Sequence, residues 1–273
     1  MEKARDFILK IFKYLNKPEM RILPGQLAFF LVMTIIPIAT LIISISASLS
    51  ISVDTIKVAI DKSVPQVIAN MLNSIMIGDG ITLNLIVFYV SAILMASSGT
   101  YSMINISNEI YKVEPDDIIK RRFKAIVMIL IVVGLILFLL AVPVFGTTLS
   151  EIIIEATDSN TIILIIQRML SILKYPIIII ILYTNIKLVY IISPDKEIPP
   201  KTTVKGSIFT AVGWVLSTEI FSFYLERFAR YDLFYGSVSN ILVLLLWVYL
   251  LSYIFVLGMI INASTYKEEL NEN

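Results

Sequence analysis

The chain has 273 residues, 58% of them hydrophobic and 16% charged, with a net charge of +1 and a mean hydropathy of +0.87. A soluble domain is about 45–50% apolar and about 25% charged, so this composition argues for a membrane chain, and its near-neutral charge offers no field for a nucleic-acid partner. Cysteine and histidine are absent, which removes disulfides, thiol nucleophiles, imidazole bases and the usual zinc ligands, so no cofactor or metal is expected.

In chain order, residues 1–17 place Phe7, Ile8, Ile11, Phe12 and Leu15 at helical spacing among Lys3, Arg5, Lys10, Lys13 and Lys17. This predicts a basic amphipathic helix within 1–21, lying either on a membrane surface or on the protein's own cytoplasmic loops. The charges are interspersed and no cleavage site follows, so the segment does not read as a signal peptide. A first span is predicted over about 24–50, uncharged from Leu27 to Ile45 with Pro37 inside it. About 20 apolar residues cross roughly 30 Å of hydrocarbon, and a proline inside a bundle is tolerated where neighbours satisfy the freed carbonyl.

Residues 51–82 keep helical spacing through Ile56, Ile60, Val64 and Val67, but Asp54, Lys57, Asp61 and Lys62 interrupt it. They read as short amphipathic helices on the far side of the membrane, and 147–168, broken by Glu151, Glu155 and Asp158, repeats the theme. Further spans are predicted over about 83–111, 123–146, 169–192, 206–228 and 239–263, followed by a polar tail, 264–273, expected to be frayed. The fold class is therefore all-α: a single polytopic membrane domain of about six transmembrane helices.

Orientation follows from the distribution of Lys and Arg. Sixteen lie in the N-terminal arm, the second-to-third loop, the fourth-to-fifth region and the tail, against six in the three intervening regions. Both termini are expected in the cytoplasm, and the lipid bilayer is the one partner expected from composition.

Ionisable groups within spans are costly and point to function. Lys174 and Lys187 lie about five residues inside the ends of the fourth span, a depth of about 1.5 Å per residue that a lysine stem can snorkel across. Glu219 lies near the middle of the fifth span and shares a helical face with Ser222, Glu226 and Arg230, a face expected to look into the bundle or a hydrated cavity, with the pathway between the spans. Glu219 reads either as a substrate- or proton-handling carboxylate or as a buried Glu that is paired with Lys187 or protonated. Gly206, Thr210, Gly213 and Ser217 form a separate face of small residues that lets two helices approach closely. Asn105, Asn108 and Glu109 share one face at the cytoplasmic end of the second span, where they line a mouth or cap the helix. Phe221, Tyr224, Phe228, Tyr231 and Tyr235 read as an interfacial belt.

No phosphate-binding loop, metal-ligand cluster or serine nucleophile elbow is present in the sequence, so no enzyme is expected. Three segments together resemble the YihY/virulence-factor BrkB family of bacterial inner-membrane proteins. They are Leu27-Ala28-Phe29-Phe30 with Pro37; Ala96-Ser97-Ser98-Gly99 with Asn108-Glu109-Ile110-Tyr111 and Lys120-Arg121-Arg122; and Trp214 through Tyr235-Gly236 and Leu246-Trp247-Val248-Tyr249 to Asn262-Ala263. The chain departs from the family's Gly-Ala-Glu near the last span, having Met259 and Ile260 after Gly258. The resemblance implies a six-span helical fold in the plasma membrane, with transport or export the usual suggestion. Some members carry a ribonuclease BN label, for which a chain without His or Cys lacks the usual metal ligands. The expected function is a transporter, exporter or lipid translocator acting on a small-molecule or lipid substrate, the alternative being a non-transporting scaffold or envelope assembly factor. Glu219, Ser222, Glu226, Asn105, Asn108, Glu109 and Lys187 are the candidate pathway residues.

Overall fold

A computed structural model describes residues 14–48, 85–135, 160–227 and 239–272, with isolated positions 54, 57, 58, 61, 66, 69, 70, 137 and 236. Among them the long elements are all helical and no strand occurs. Helix α1 is Glu19–Ser48 and α2 is Leu85–Tyr111. Helix α3 covers 118–135. Helices α4, α5 and α6 are Asn160–Ile192, Val204–Arg227 and Ser239–Glu272. Within the described residues, Val204–Arg227 and Ser239–Asn271 are long and apolar enough to cross a bilayer, and Pro176–Ile192 is a shorter apolar stretch. The amphipathic arm before residue 14, most of 51–82, and residues 147–159 lie outside the described residues.

Several boundaries differ from the sequence reading: α1 begins at Glu19 and α3 at residue 118, each five residues ahead of the expected span, and two larger differences have a physical cause. Residues 160–168 belong to α4, because Ile163, Leu164, Ile165 and Ile166 continue the apolar pattern ahead of the single charge at Arg168. The tail is not frayed: α6 runs to Glu272. Lys267, Glu268, Glu269 and Leu270 are good helix formers, and tertiary contacts hold the extension in place. Ser264 Oγ accepts from Tyr14 OH at 2.8 Å, and the Tyr266 ring lies 6.0 Å from that of Tyr111.

Small residues set the helix contacts. Helix α2 lies between α1 and α3 through buried Ala96, Ser97, Gly99 and Thr100. A Cβ on Gly99 would sit 3.2 Å from Thr34 Cγ2 and 3.3 Å from Leu31 Cδ2, while Thr100 Oγ1 donates to Ala125 O at 2.7 Å. Helices α5 and α6 cross more tightly. A Cβ on Gly206 would fall on Gly258 O and the Asn262 side chain, and one on Gly213 would lie 2.8 Å from Ile254 Cγ2. The small face anticipated at Gly206, Thr210 and Gly213 is thus where α6 packs, since backbones approach closely only where no side chain intervenes.

Polar groups are satisfied across this crossing. Gly206 is the third residue of α5, so its N–H has no acceptor within the helix; Asn262 Oδ1 accepts it at 2.7 Å. Tyr190, fully buried, donates to Phe255 O at 2.7 Å and shares a 2.8 Å hydrogen bond with Thr210 Oγ1. Trp214 Nε1 donates to Leu251 O at 2.9 Å. Leu27, Ile104, Ile106, Met128, Val256 and Met259 fill the apolar core around these contacts.

Candidate functional site

The C-terminal end of α2 carries the most elaborate polar arrangement among the described residues. Helix α2 stops because Lys112 adopts the left-handed region, with φ 56°, and Val113 N–H then bonds back to Asn108 O at 2.9 Å. That is the six-to-one closure of a helix terminus, normally given to glycine. Lys112 Nζ is drawn to Glu109 at 3.2 Å and to Glu19, the first residue of α1, at 3.6 Å.

One turn inside, Asn108 is buried and pairs reciprocally with Asp195 of the α4–α5 loop. Its Nδ2 donates to Asp195 Oδ2 at 2.6 Å, and its Oδ1 accepts Asp195 N–H at 2.8 Å. Asp116 N–H adds a 3.2 Å bond to the same carboxylate oxygen. Lys124 of α3 completes the cluster: its Nζ donates to Asp195 Oδ1 at 2.8 Å, Ser193 O at 2.9 Å and Pro194 O at 2.7 Å. The three donors of the ammonium are therefore all used. The Asp195 side chain is 1% exposed. Burial pushes its carboxyl up, but the hydrogen bonds from Lys124, Asn108 and Asp116 outweigh it and hold the carboxyl below the usual aspartate value.

A cavity of about 270 Å³ opens beside this cluster, lined by Asn105, Asn108, Glu109, Lys112, Val113, Pro115 and Arg121. Arg121 forms one wall, its Nη1 donating to Asn105 Oδ1 at 2.7 Å and its Nε to Asp116 O at 2.9 Å. Asn105, Asn108 and Glu109 thus border one space. Asn108 is committed to the Asp195 pair, and Glu109 is exposed beside Lys112.

The other candidate residues lie elsewhere. The expected inward face of α5 is corrected: Glu219 and Glu226 are exposed, with Ser222 half-buried between them, because the small residues Gly206, Thr210 and Gly213 turn the opposite side of α5 toward α6. Glu219 shares its outward face with Leu216 and Ile220, also exposed. Lys187 is half-buried, its Nζ 5.6 Å from the Tyr183 ring centre, and among the described residues it makes no ion pair with Glu219. Asp195 escaped the sequence reading. Its one local signal is a carboxylate directly after a helix end in a region otherwise rich in Lys, and its partners lie 87 and 71 positions away.

The sequence profile described as virulence factor BrkB matches residues 11–273. A Bacillus subtilis (strain 168) protein named ribonuclease-like protein YfkH is 27% identical over 270 residues, covering 96% of each chain. UPF0761 membrane proteins align over a shorter segment. That of Nitrosospira multiformis is 35% identical over 75 residues, 28% of this chain and 18% of its own length. That of Pseudoalteromonas atlantica is 37% identical over 71 residues, 26% of this chain and 24% of its own. No solved structure matches.

Proposed function

The chain belongs to the virulence factor BrkB family and is a membrane protein; on that premise we propose a multi-pass protein of the cell membrane, both termini cytoplasmic, that moves a lipid-like or small amphipathic substrate across the bilayer. The topology draws support from the polar end of the bundle. Segments expected inside meet there through Glu19 with Lys112, Asn108 with Asp195, and Tyr14 with Ser264. An even number of crossings between successive segments satisfies both these contacts and the sixteen-to-six bias of Lys and Arg.

The observation that carries translocation is the stripe of Glu219, Ser222 and Glu226 on α5, whose carboxylates face outward from an otherwise apolar helix. A charge at the centre of a spanning helix costs about 2.5–3.5 kcal/mol on insertion scales. A bundle that served only as a frame would gain nothing from holding one on an outer face. A polar head group travelling along that face would. Substituting Glu219→Gln and Glu219→Leu in vesicles reconstituted with the protein tests this, with transbilayer movement of a fluorescent phospholipid as the readout. Slowed flux at normal expression is expected; unchanged flux would remove Glu219 from the pathway.

The scaffold reading is favoured by one feature, the closed packing around Tyr190, Thr210 and Gly258 in the bundle interior. Loss of function would then follow changes in the N-terminal arm and loops and would ignore Glu219. The ribonuclease-like name of the Bacillus relative is not carried over. We propose no enzymatic step, because the chain has neither His nor Cys.

A further inference from the structure

We infer that the cavity at the C-terminal end of α2 binds a small soluble monocarboxylate, its carboxylate held between Arg121 and Asn105. The site goes beyond the translocation reading and makes no use of the α5 stripe. Arg121, Asn105 and Glu109 all line a single space of about 270 Å³, so a ligand of modest size reaches each of them.

Arg121 carries a charge that the described protein does not offset. Its Nη1 donates to Asn105 Oδ1 at 2.7 Å, its Nε donates to Asp116 O at 2.9 Å, and its Cζ lies 5.5 Å from the Tyr101 ring centre. These partners are neutral, and among the described residues no carboxylate pairs with it. A guanidinium has five N–H donors, two of which are spent in these contacts. The other charges of the lining are matched, since Lys112 lies 3.2 Å from Glu109 and also reaches Glu19 at 3.6 Å. The Asn105 amide adds a second kind of donor. Because a guanidinium only donates, the amide oxygen faces Arg121. The amide NH2 is thereby left beside the guanidinium, with no acceptor of its own among the described residues.

Donor geometry, charge and volume together select the ligand. A planar guanidinium next to an amide suits the paired oxygens of a carboxylate. One unmatched positive charge balances one negative charge. A doubly charged phosphate ester would bring its second charge against Glu109, which stands one helical turn from Asn105. Val113 and Pro115 supply the apolar part of the lining, against which a short aliphatic chain rests. The volume falls just below the range of about 300–1,000 Å³ that holds drug-sized ligands, which fits an acid of a few carbons.

The test uses the full chain, purified in an uncharged detergent, with butyrate as the probe and ligand-observed saturation-transfer NMR as the readout. Butyramide, of the same shape without the charge, and inorganic phosphate are the comparison ligands. The wild type is expected to bind butyrate and to bind both comparison ligands about tenfold more weakly. Arg121→Gln removes the charged donor and should weaken butyrate about tenfold. Asn105→Asp keeps an oxygen acceptor for Arg121 but supplies the missing counter-charge, so butyrate should weaken by a similar factor in a protein whose contact is preserved. Glu109→Gln removes a like charge one turn away and should strengthen butyrate about threefold. No butyrate signal from the wild type, or equal binding of butyramide or phosphate, overturns the proposal. So does butyrate binding left unchanged in a folded Arg121→Gln variant, or weakened by Glu109→Gln. Should Arg121→Gln not fold, unchanged binding in Asn105→Asp overturns it instead. Phospholipid flux through Glu219 variants is a separate readout, so failure here is distinguishable from failure of the translocation reading.

Discussion

Replacing Asp195 with Ala removes a carboxylate that joins three separate segments at the polar end of the bundle. The side chain is 1% exposed and accepts from Lys124, Asn108 and Asp116. Breaking a buried ion pair from one side costs about 3–5 kcal/mol. Lys124 retains the carbonyls of Ser193 and Pro194 and is itself 23% exposed, so the low end, about 3 kcal/mol, is expected. Asp195→Asn keeps the shape but turns an amide donor toward either Lys124 or Asn108, both donors, and one lost charged hydrogen bond is worth about 2 kcal/mol. The assay is unfolding in mild detergent followed through Trp214 and Trp247 fluorescence. The pH dependence adds a second check. Because the folded carboxyl lies below the unfolded aspartate value of about 3.9, its contribution is complete above that value and disappears as pH falls through the folded one. The wild type should therefore lose stability below about pH 4, and Asp195→Asn should lose less over the same range. An Ala variant within about 0.5 kcal/mol of wild type, well inside the scatter of neutral surface changes, would refute the reasoning.

Three further outcomes are expected. Gly258→Ala places a Cβ on Thr210 Oγ1 and within 2.6 Å of Tyr190 OH; it should destabilise by about 1–3 kcal/mol through overpacking, measured in the same unfolding assay, whereas Gly134→Ala, with open space around it, should be neutral or stabilising. Asn262→Ala removes the acceptor for Gly206 N–H and should cost about 1–3 kcal/mol as an unsatisfied buried donor. Tyr266→Ala removes the ring contact with Tyr111 and the Lys196 cation above it; a loss of about 1 kcal/mol and faster amide exchange over Lys267–Glu272 are expected.

Local pattern and tertiary contact contributed differently to what the sequence reading reached. The bodies of α1, α2, α5 and α6 follow from uninterrupted apolar blocks, and the crossing at Gly206 and Gly213 follows from small residues spaced along one face, because both are properties of neighbouring positions; the start of α1 at Glu19, ahead of its apolar block, does not. The helical tail was missed for the opposite reason. Residues 267–272 look polar and terminal, and the helix they continue is held just before them by Tyr14 on Ser264 and Tyr111 on Tyr266, far away in the chain. Asn105, Asn108 and Glu109 were recognisable as one helical face, but their division of labour was not. It depends on Asp195 and Arg121, whose approach is set by the folding of two loops and by no periodicity. Glu219 was legible as an ionisable residue in an apolar helix; its outward orientation depends on which side of α5 meets α6 and so needed the packing.

The central claim, a multi-pass chain whose basic segments gather on the cytoplasmic side, is tested most directly by single-cysteine accessibility, since the native chain has no cysteine to remove. Lys3→Cys, Glu114→Cys, Glu197→Cys and Asn271→Cys should react with a membrane-impermeant maleimide only after the membrane is opened, while Asp79→Cys, Asp158→Cys and Asp232→Cys should react in intact cells. Labelling of Glu114→Cys and Glu197→Cys from opposite sides would contradict the account, because Asn108, Asp116, Lys124 and Asp195 could not then meet.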